Sequence, residues 1–188
     1  MYTVYQNERV RIRPFRDADE YLVLVHEELE CGNEQWGPHH WPIAEQRRDF
    51  MSSGYISEQG LNIFAVEDLA SGEVVGYEES STAVLPSLSA YLGTFIRPAW
   101  QRRGYGVAAK QPLACQLFEN YPFESLFAIT VATHAAAIRG MELAGMRPAG
   151  LRPCVHWCRG RREATAAYQI TRAEWEAMDY RHAVRRAG

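Results

Sequence analysis

The sequence predicts a mixed α+β fold with a mostly antiparallel sheet of six to seven strands flanked by about four helices. Three observations indicate this class. Short segments of apolar, β-branched and aromatic residues recur along the chain, which is typical of strands. Longer segments with helix-capping signals lie between them. In the middle of the chain, a turn rich in glycine and arginine joins a strand directly to a helix.

Length and composition limit the classes of protein that fit. The 188 residues suit a single domain, 1–188, with a substantial core. A net charge of −3 gives no general attraction for nucleic acids or membrane surfaces. No apolar run approaches the roughly 20 residues of a membrane span, and the polar N-terminal segment shows no secretory signal. We expect a cytoplasmic location, with no nucleic-acid or membrane partner.

The first third of the chain predicts one strand and two helices. In residues 10–15, apolar side chains alternate with basic ones. This pattern predicts a strand, which Pro14 ends. A helix is predicted from the N-cap Asp17, with a capping-box-like sequence, to Glu30. A second helix is predicted over 43–58, with a break at 52–54.

The rest of the chain alternates strands and helices. Further strands are predicted over 62–67, 73–79, 88–96, 126–131, 154–158 and 164–170. Further helices are predicted over 105–120, 135–144 and 172–178. The run 126–131 is continuously apolar, so we expect it to be buried on both faces. Pro112 lies inside a predicted helix, where it removes a hydrogen bond, and the arginine-rich tail is expected to fray.

The turn Gln101-Arg102-Arg103-Gly104-Tyr105-Gly106 has the composition of an anion site. Its glycines let backbone N–H groups close on a phosphate, and the following helix adds partial positive charge. The two arginines can add charge-assisted hydrogen bonds. A Walker A loop is excluded because Val107 follows Gly106, and Ala109 leaves only a partial dinucleotide fingerprint. The alternative is an ordinary turn, softened by glycine, with no ligand.

The cysteines do not indicate a metal site. Cys154, His156 and Cys158 would share one face of a strand, about 6.5 Å apart in succession, which is too extended for a compact zinc site. Without a secretion signal, free thiols are expected rather than disulfides. We therefore predict no metal.

Two segments carry a resemblance to a known family. The turn resembles the pyrophosphate loop of the GNAT N-acetyltransferase superfamily, Gln/Arg-x-x-Gly-x-Gly/Ala. The segment 134–146 is similar to that family's Asn-x-Ala-Ser-x-Arg-x-x-Glu-Lys-x-Gly-Phe. The positions that agree are Ala136, Arg139, Glu142 and Gly145. The positions that depart are His134, Ala137, Leu143 and Met146. The order of elements is similar throughout, and Tyr168 with 172–175 resembles the branch of ribosomal-protein-alanine and small-amine N-acetyltransferases.

The resemblance implies direct acetyl transfer from acetyl-CoA to a primary amine of a small molecule or a peptide N-terminus. It also implies a sheet that splays into a V. The acceptor side would be about 17–60, the acetyl-CoA-binding core about 61–147, and the C-terminal hairpin and short helix about 151–178. The cofactor-binding residues that it implies are Thr94, Phe95, Ile96, Gln101, Arg102, Arg103, Gly104, Tyr105, Gly106, Val107 and His134. For His134, a helix-cap or surface role is the alternative.

The proton chemistry departs from that of the family. Relatives use a serine or a tyrosine as proton donor, but Ala137 and Met141 stand at those positions. For the general base we predict Glu79, with Glu78 as the neighbouring alternative, and His156. Adjacent strand residues point to opposite faces, so the two glutamates cannot line the same pocket. A solvated carboxylate is the alternative for each.

The acceptor is not identified by any motif. The loop 31–42 contains two tryptophans, two histidines (His39 and His40) and two prolines. It is either a wall of the acceptor site or a loop packed on its own core. Two other functions stay open, an acyl-CoA-binding regulator with little catalysis and an enzyme with a different acyl-CoA donor. A homodimer is also open.

Overall fold

The computed structural model describes residues 4–31, 42–57, 61–83, 88–158 and 160–187. Apart from its two end residues, the loop predicted over 31–42, with His39 and His40, lies outside these ranges. No helix within them is long and apolar enough to cross a membrane.

Nine strands and six α-helices form the described part of the chain. The strands are β1 Val4–Gln6, β2 Val10–Arg13, β3 Leu61–Asp68, β4 Val74–Ala83, β5 Ser89–Ile96, β6 Ser125–Val131, β7 Arg147–Cys158, β8 Arg161–Thr171 and β9 Arg185–Ala187. The helices are α1 Ala18–Glu30, α2 Ile43–Ser53, α3 Tyr105–Asn120, α4 Ala135–Leu143, α5 Arg172–Glu176 and α6 Tyr180–Ala183, with a 3₁₀ turn at Pro98–Trp100.

The strands form one sheet in the order β7-β8-β6-β5-β4-β3-β2-β1-β9. All neighbours pair antiparallel except β5 and β6, which are parallel. The predicted α+β class, with a mostly antiparallel sheet flanked by helices, is confirmed. The strand count was too low, because the three-residue strands β1 and β9 carry too short a pattern to be recognised.

The C-terminal tail does not fray as predicted. It forms α6 and then β9, which pairs with β1. Arg186 holds it in place, with its guanidinium 5.6 Å from the centre of the Tyr5 ring and 3.1 Å from the Glu119 carboxylate. Pairing between residues so distant in sequence leaves no local signal.

The helix boundaries follow most of the predicted signals. The side chain of Asp17 accepts a hydrogen bond from the Glu20 N–H at 2.9 Å and caps α1. The Glu20 carboxylate does not complete a capping box and instead pairs with Arg13 at 2.7 Å. Helix α2 ends at Ser53, within the predicted break at 52–54, because Gly54 takes a left-handed conformation (φ 60°) at its C-cap. The described residues beyond it, 54–57, do not resume the helix that was predicted to 58.

Two hydrophobic cores lie on opposite faces of the sheet. One packs beneath α3 and α4 and includes Leu113, Leu126 and Ala128. The other packs beneath α1 and α2, with a cluster of aromatic rings. The prediction that residues 126–131 are buried on both faces was wrong, since Phe127 and Ile129 are only partly buried. Strand β6 is therefore covered mainly from the α3 side.

Asn7 supplies the hydrogen bond that the proline inside α3 cannot form. Pro112 has no N–H to offer the carbonyl of Ala108, four residues earlier. The Asn7 Nδ2 group donates to that carbonyl oxygen at 2.8 Å, while its Oδ1 accepts from the Val10 N–H at 2.9 Å. Asn7 is buried, with 7% of its surface exposed. It therefore replaces the missing hydrogen bond and ties the turn between β1 and β2 to α3.

We expect Asn7→Asp to lower the free energy of unfolding by about 1–3 kcal/mol, because it keeps the Oδ1 acceptor but leaves the Ala108 carbonyl unsatisfied. Chemical denaturation measures this change. In a Pro112→Ala background the restored N–H can serve that carbonyl, so the same substitution should cost less. Equal costs in the two backgrounds would show that Asn7 does not compensate for the proline.

Candidate functional site

The sheet opens into a fork between β5 and β6. Their parallel pairing covers Ser89–Leu92 against Ser125–Ala128. Beyond this point β5 stays paired with β4 as far as Ile96, and β6 stays paired with β8 as far as Val131. The two strands thus separate while each remains fixed to its outer neighbour. The fork is the predicted V-shaped splay, and it frees backbone groups on the inner edges of both strands.

The glycine turn lies at the open end of the fork. The Gln101 side chain donates from Nε2 to the Ile96 carbonyl at 2.9 Å, which holds the turn against the end of β5. Arg102 and Gly104 have φ values of 59° and 83°. This left-handed backbone turns the chain into α3. The N-cap Gly104 supplies no side-chain cap. The first amides of α3 therefore remain available to an anion.

Three arginines are placed around this helix start. Arg102 and Arg103 are exposed in the turn. Arg9, which the sequence did not indicate, comes from the turn between β1 and β2 and stacks on the Tyr105 ring at 4.1 Å. Its guanidinium would lie 3.2 Å from a Cβ placed on Gly104. Because Arg9 lies so far from the turn in sequence, no local pattern could have revealed it.

The tyrosine of the turn is structural. The Tyr105 side chain is buried, and its hydroxyl donates to Asp68 Oδ1 at 3.0 Å. Its ring packs edge-on against Trp100, with 5.3 Å between centroids. Tyr105 can therefore contribute only its backbone amide to a ligand, like Gly106 and Val107.

The strand residues predicted to bind the cofactor direct their side chains to different faces of the sheet. The Phe95 side chain is buried on the α1/α2 side, 5.5 Å from the Tyr77 ring, so only its backbone can face a ligand in the fork. Thr94 points to the α3 side. There, a Cβ placed on Gly106 would lie 4.0 Å from the Thr94 Cγ2 atom, and 3.9 Å from Cγ1 of Ile96. The first turn of α3 therefore rests directly on the end of β5.

His134 follows β6 and lies at the same open end as the turn, because parallel strands finish on the same side. Its Nδ1 atom is 3.3 Å from the Thr130 hydroxyl. Burial lowers the pKa of His134, so the imidazole favours its neutral form, which can donate or accept a hydrogen bond. The structure thus gathers the predicted cofactor residues around one fork.

Glu79 lies where the fork begins. It is opposite Gly93 in the β4–β5 register, and Gly93 is the first β5 residue beyond the pairing with β6. The Glu79 side chain covers this glycine so closely that an added Cβ would lie 2.5 Å from its Cγ. Burial, followed by repulsion from Glu28, raises the pKa of Glu79, while Lys110 lowers it. A partly buried carboxylate of raised pKa is suited to accept a proton.

Glu78 points to the opposite face, as the strand alternation predicts. It is fully buried, so the alternative of a solvated carboxylate is wrong for this residue. It accepts a hydrogen bond from the Thr94 hydroxyl at 2.8 Å, and Lys110 Nζ lies 3.6 Å from the same oxygen. Burial raises the pKa of Glu78 to about 7, against the opposing effects of Lys110 and Thr94.

His156 is not brought near Glu79. It lies on β7, opposite Glu163 of β8, and β7 is the edge strand on the far side of the fork. Four strand spacings separate β7 from β4, which amounts to about 19 Å across the sheet. The two predicted catalytic residues therefore cannot act on the same proton by direct contact.

Helix α4 offers no proton donor at the two positions that the sequence singled out. Met141 is buried in the core, and the nearby Ala137 carries only a methyl group. Within the described ranges, no group of three or more His, Cys, Asp or Glu side chains could hold a metal ion. The side chains of Cys154 and Cys158 lie outside what the structure describes.

The family comparison assigns a class of proteins to this fold and its fork. Residues 9–147 match the Acetyltransferase (GNAT) domain family, which is more than half of the chain. The protein therefore belongs to the GNAT family of acyl-CoA-dependent N-acetyltransferases. The predicted superfamily is confirmed.

Solved structures share the fold at low sequence identity. Spermidine N-acetyltransferase from Vibrio cholerae, in complex with CoA and spermine, is 16% identical with a TM-score of 0.77, covering 90% of this chain and 99% of its own. RimJ of Mycobacterium smegmatis, in complex with CoA-disulfide, is 17% identical with a TM-score of 0.76, covering 96% and 92%. A GNAT-family acetyltransferase from Bacillus anthracis is 17% identical with a TM-score of 0.74, covering 89% and 98%. Among curated protein sequences, none matches significantly.

We expect Glu78 to make the protein less stable as pH rises. Its pKa is about 7 in the folded state against an ordinary 4.5, so the folded state binds more protons between these values. The contribution of Glu78 to the free energy of unfolding is complete below pH 4.5 and is lost as pH rises through 7. This change is on the order of 3 kcal/mol. Denaturation of wild type and Glu78→Gln from pH 4.5 to 8 measures the difference.

The exposed Glu124→Gln is the matched control for replacing a carboxylate by an amide at the surface. A difference between wild type and Glu78→Gln that stays constant over this range would show that the buried carboxyl titrates normally.

Proposed function

We propose that this protein transfers an acetyl group from acetyl-CoA to the primary amine of a small molecule or a peptide N-terminus by direct attack within a ternary complex. One observation carries the proposal. The Glu79 carboxylate lies over Gly93 at the point where β5 and β6 part, beside the strand that leads into the anion-binding turn. The proposed base and the proposed donor site thus share one fork.

The donor would occupy the fork and the turn. Backbone amides from Arg102 to Val107, at the start of α3, suit the pyrophosphate, and the guanidinium groups of Arg102, Arg103 and Arg9 add positive charge. The freed backbone of β5 from Thr94 to Ile96 suits the pantetheine arm. Its N–H groups would polarise the thioester carbonyl, and His134 would bind the arm from the β6 side.

The reaction follows from these positions. The amine must be uncharged to attack, and Glu79 would accept the proton that it loses. The amine nitrogen bonds to the carbonyl carbon, the C–S bond breaks, and CoA leaves as a thiolate. Water would protonate this thiolate, since neither Ala137 nor Met141 can donate a proton. Holding both substrates together supplies much of the acceleration.

The acceptor side would be formed by residues of about 17–60, on the face that Glu79 shares with α1 and α2. Two carboxyl groups, those of Glu28 and Glu79, lie on this face. Glu28 accepts a hydrogen bond from the Tyr77 hydroxyl there, and its negative charge raises the pKa of Glu79. The face is therefore acidic. We therefore favour a cationic amine. A spermidine acetyltransferase in complex with spermine shares the fold, which supports an amine acceptor. A homodimer and a cytoplasmic location stay predictions.

A second candidate is a GNAT-like regulator that binds acyl-CoA with little catalysis. The burial of Met141 in the core and the methyl side chain of Ala137 favour it, since both remove a proton donor used in relatives. It predicts saturable CoA binding with no turnover on a broad panel of amines. A robust acetylation rate would exclude it.

We expect Glu79→Gln to lower kcat at least about 100-fold, because the amide cannot accept the amine proton. Gly93→Ala should lower kcat about 10-fold, since the new methyl group displaces the Glu79 carboxylate. Release of free CoA thiol with a panel of amines measures both rates, and calorimetry should show acetyl-CoA affinity within a few-fold of wild type.

Glu124→Gln serves as the surface control for these variants. If Glu79→Gln keeps full activity while His156→Gln loses it, the base belongs on the late hairpin and the assignment to Glu79 is wrong. If wild type binds acetyl-CoA but acetylates no amine, the regulator is favoured.

The double variant Arg102→Ala/Arg103→Ala should raise the KM for acetyl-CoA about 10-fold or more, because it removes two charge-assisted contacts to phosphate. Acetyl-pantetheine lacks the nucleotide phosphates, so its kcat/KM should not change. Steady-state rates with each donor test this. Equal losses with both donors would place the arginines elsewhere than at the phosphates.

A further inference from the structure

A buried, charged cluster lies behind the fork, on the side opposite Glu79. Lys110 of α3 donates from Nζ to the Thr94 hydroxyl. That hydroxyl donates to Glu78 Oε1 at 2.8 Å, and Nζ is 3.6 Å from the same carboxylate oxygen. The side chains of Lys110 and Glu78 are 11% and 0% exposed. No sequence motif indicated a role for this lysine.

The cluster joins the anion-binding helix to the strand that would hold the thioester. Thr94 directly precedes Phe95 and Ile96, whose backbone groups polarise the carbonyl in the proposed reaction. Gly106 lies one helical turn before Lys110 on the same face of α3, and a Cβ placed on it would lie 4.0 Å from the Thr94 Cγ2 atom. The ammonium therefore lies behind the part of β5 that leaves its β6 partner.

We propose that Lys110 is a positioning residue for acetyl transfer, whose buried ammonium fixes β5 through Thr94 and adds positive potential behind the amides that receive the thioester oxygen. This inference rests on the proposed function. In the proposed reaction Lys110 touches neither substrate and acts through the strand.

The neighbouring charges determine how strong this potential is. Glu78 is the carboxylate in contact with Lys110, and its other oxygen, Oε2, is buried with no hydrogen-bond partner. Burial also favours the neutral form of Glu78, so the lysine charge is only partly compensated. Glu79, across the sheet, also senses Lys110. In a buried setting such charges act more strongly than they do in water.

Stability alone gives no reason for a lysine here. Replacing a buried ion pair by uncharged groups of similar size is often neutral or stabilising, whereas removing one partner is costly. The double variant Glu78→Gln/Lys110→Met should therefore fold well while lacking the buried charge. It separates a structural role for the cluster from an electrostatic one.

The test measures the bound thioester directly. Isotope-edited infrared difference spectra of acetyl-CoA, carrying ¹³C at the acetyl carbonyl, report how strongly that carbonyl is polarised. On wild type, the carbonyl stretch should fall below that of free acetyl-CoA. Lys110→Met should return it toward the free value and lower kcat about 10-fold, less than the loss of a direct oxyanion donor, with acetyl-CoA affinity within about 3-fold.

The two matched variants sharpen this test. Glu78→Gln removes the compensating charge, so its stretch should be as low as that of wild type or lower. The double variant should melt near wild type yet give the spectrum of Lys110→Met. A wild-type stretch in Lys110→Met or in the double variant would overturn the inference. A wild type that binds no acetyl-CoA would overturn the proposed function and this inference with it, whereas one that binds without turnover still permits the infrared test.

Discussion

The structure depends on a parallel pairing that stops after four residue pairs. Strands β5 and β6 bond to each other from Ser89 to Leu92 and then part, yet each keeps its outer partner. An unpaired backbone group inside a protein is costly unless something satisfies it. The inner edges of the fork therefore need a ligand or water to take those hydrogen bonds. Glu79 lies at this point, over Gly93, and the glycine turn and His134 lie at the open end beyond it.

The strand, turn and helix proposed to bind the donor were predictable because they are contiguous in the sequence. A strand, a turn of Gln101 to Gly106 and a helix follow each other directly, and each has its own local signal. The fold class followed for the same reason, since the longer strands and helices carry clear periodicity. Local signals even placed the end of α1 and the whole span of α3 correctly.

What escaped prediction depends on contacts between distant residues. Arg9 contacts the turn although it lies far from it in the sequence. Asn7 supplies the hydrogen bond that Pro112 cannot form, and β9 pairs with β1 although the two strands lie at opposite ends of the described chain. The opposite environments of Glu78 and Glu79 were expected from strand alternation, but not the full burial of one. Nor could the sequence show that His156 and Glu79 lie four strands apart, because spacing along the chain does not reveal the strand order.

The pairing of the two terminal strands has a consequence for redesign. In the β1–β9 register, Val4 is opposite Ala187, so the two ends of the described chain lie side by side at one edge of the sheet. A short linker across that single strand spacing of about 5 Å would allow the backbone to be reopened elsewhere. The exposed turn at Ser71-Gly72, between β3 and β4, is suited to such new ends. A circularly permuted protein opened there would retain the whole β5–β6 fork in one uninterrupted segment.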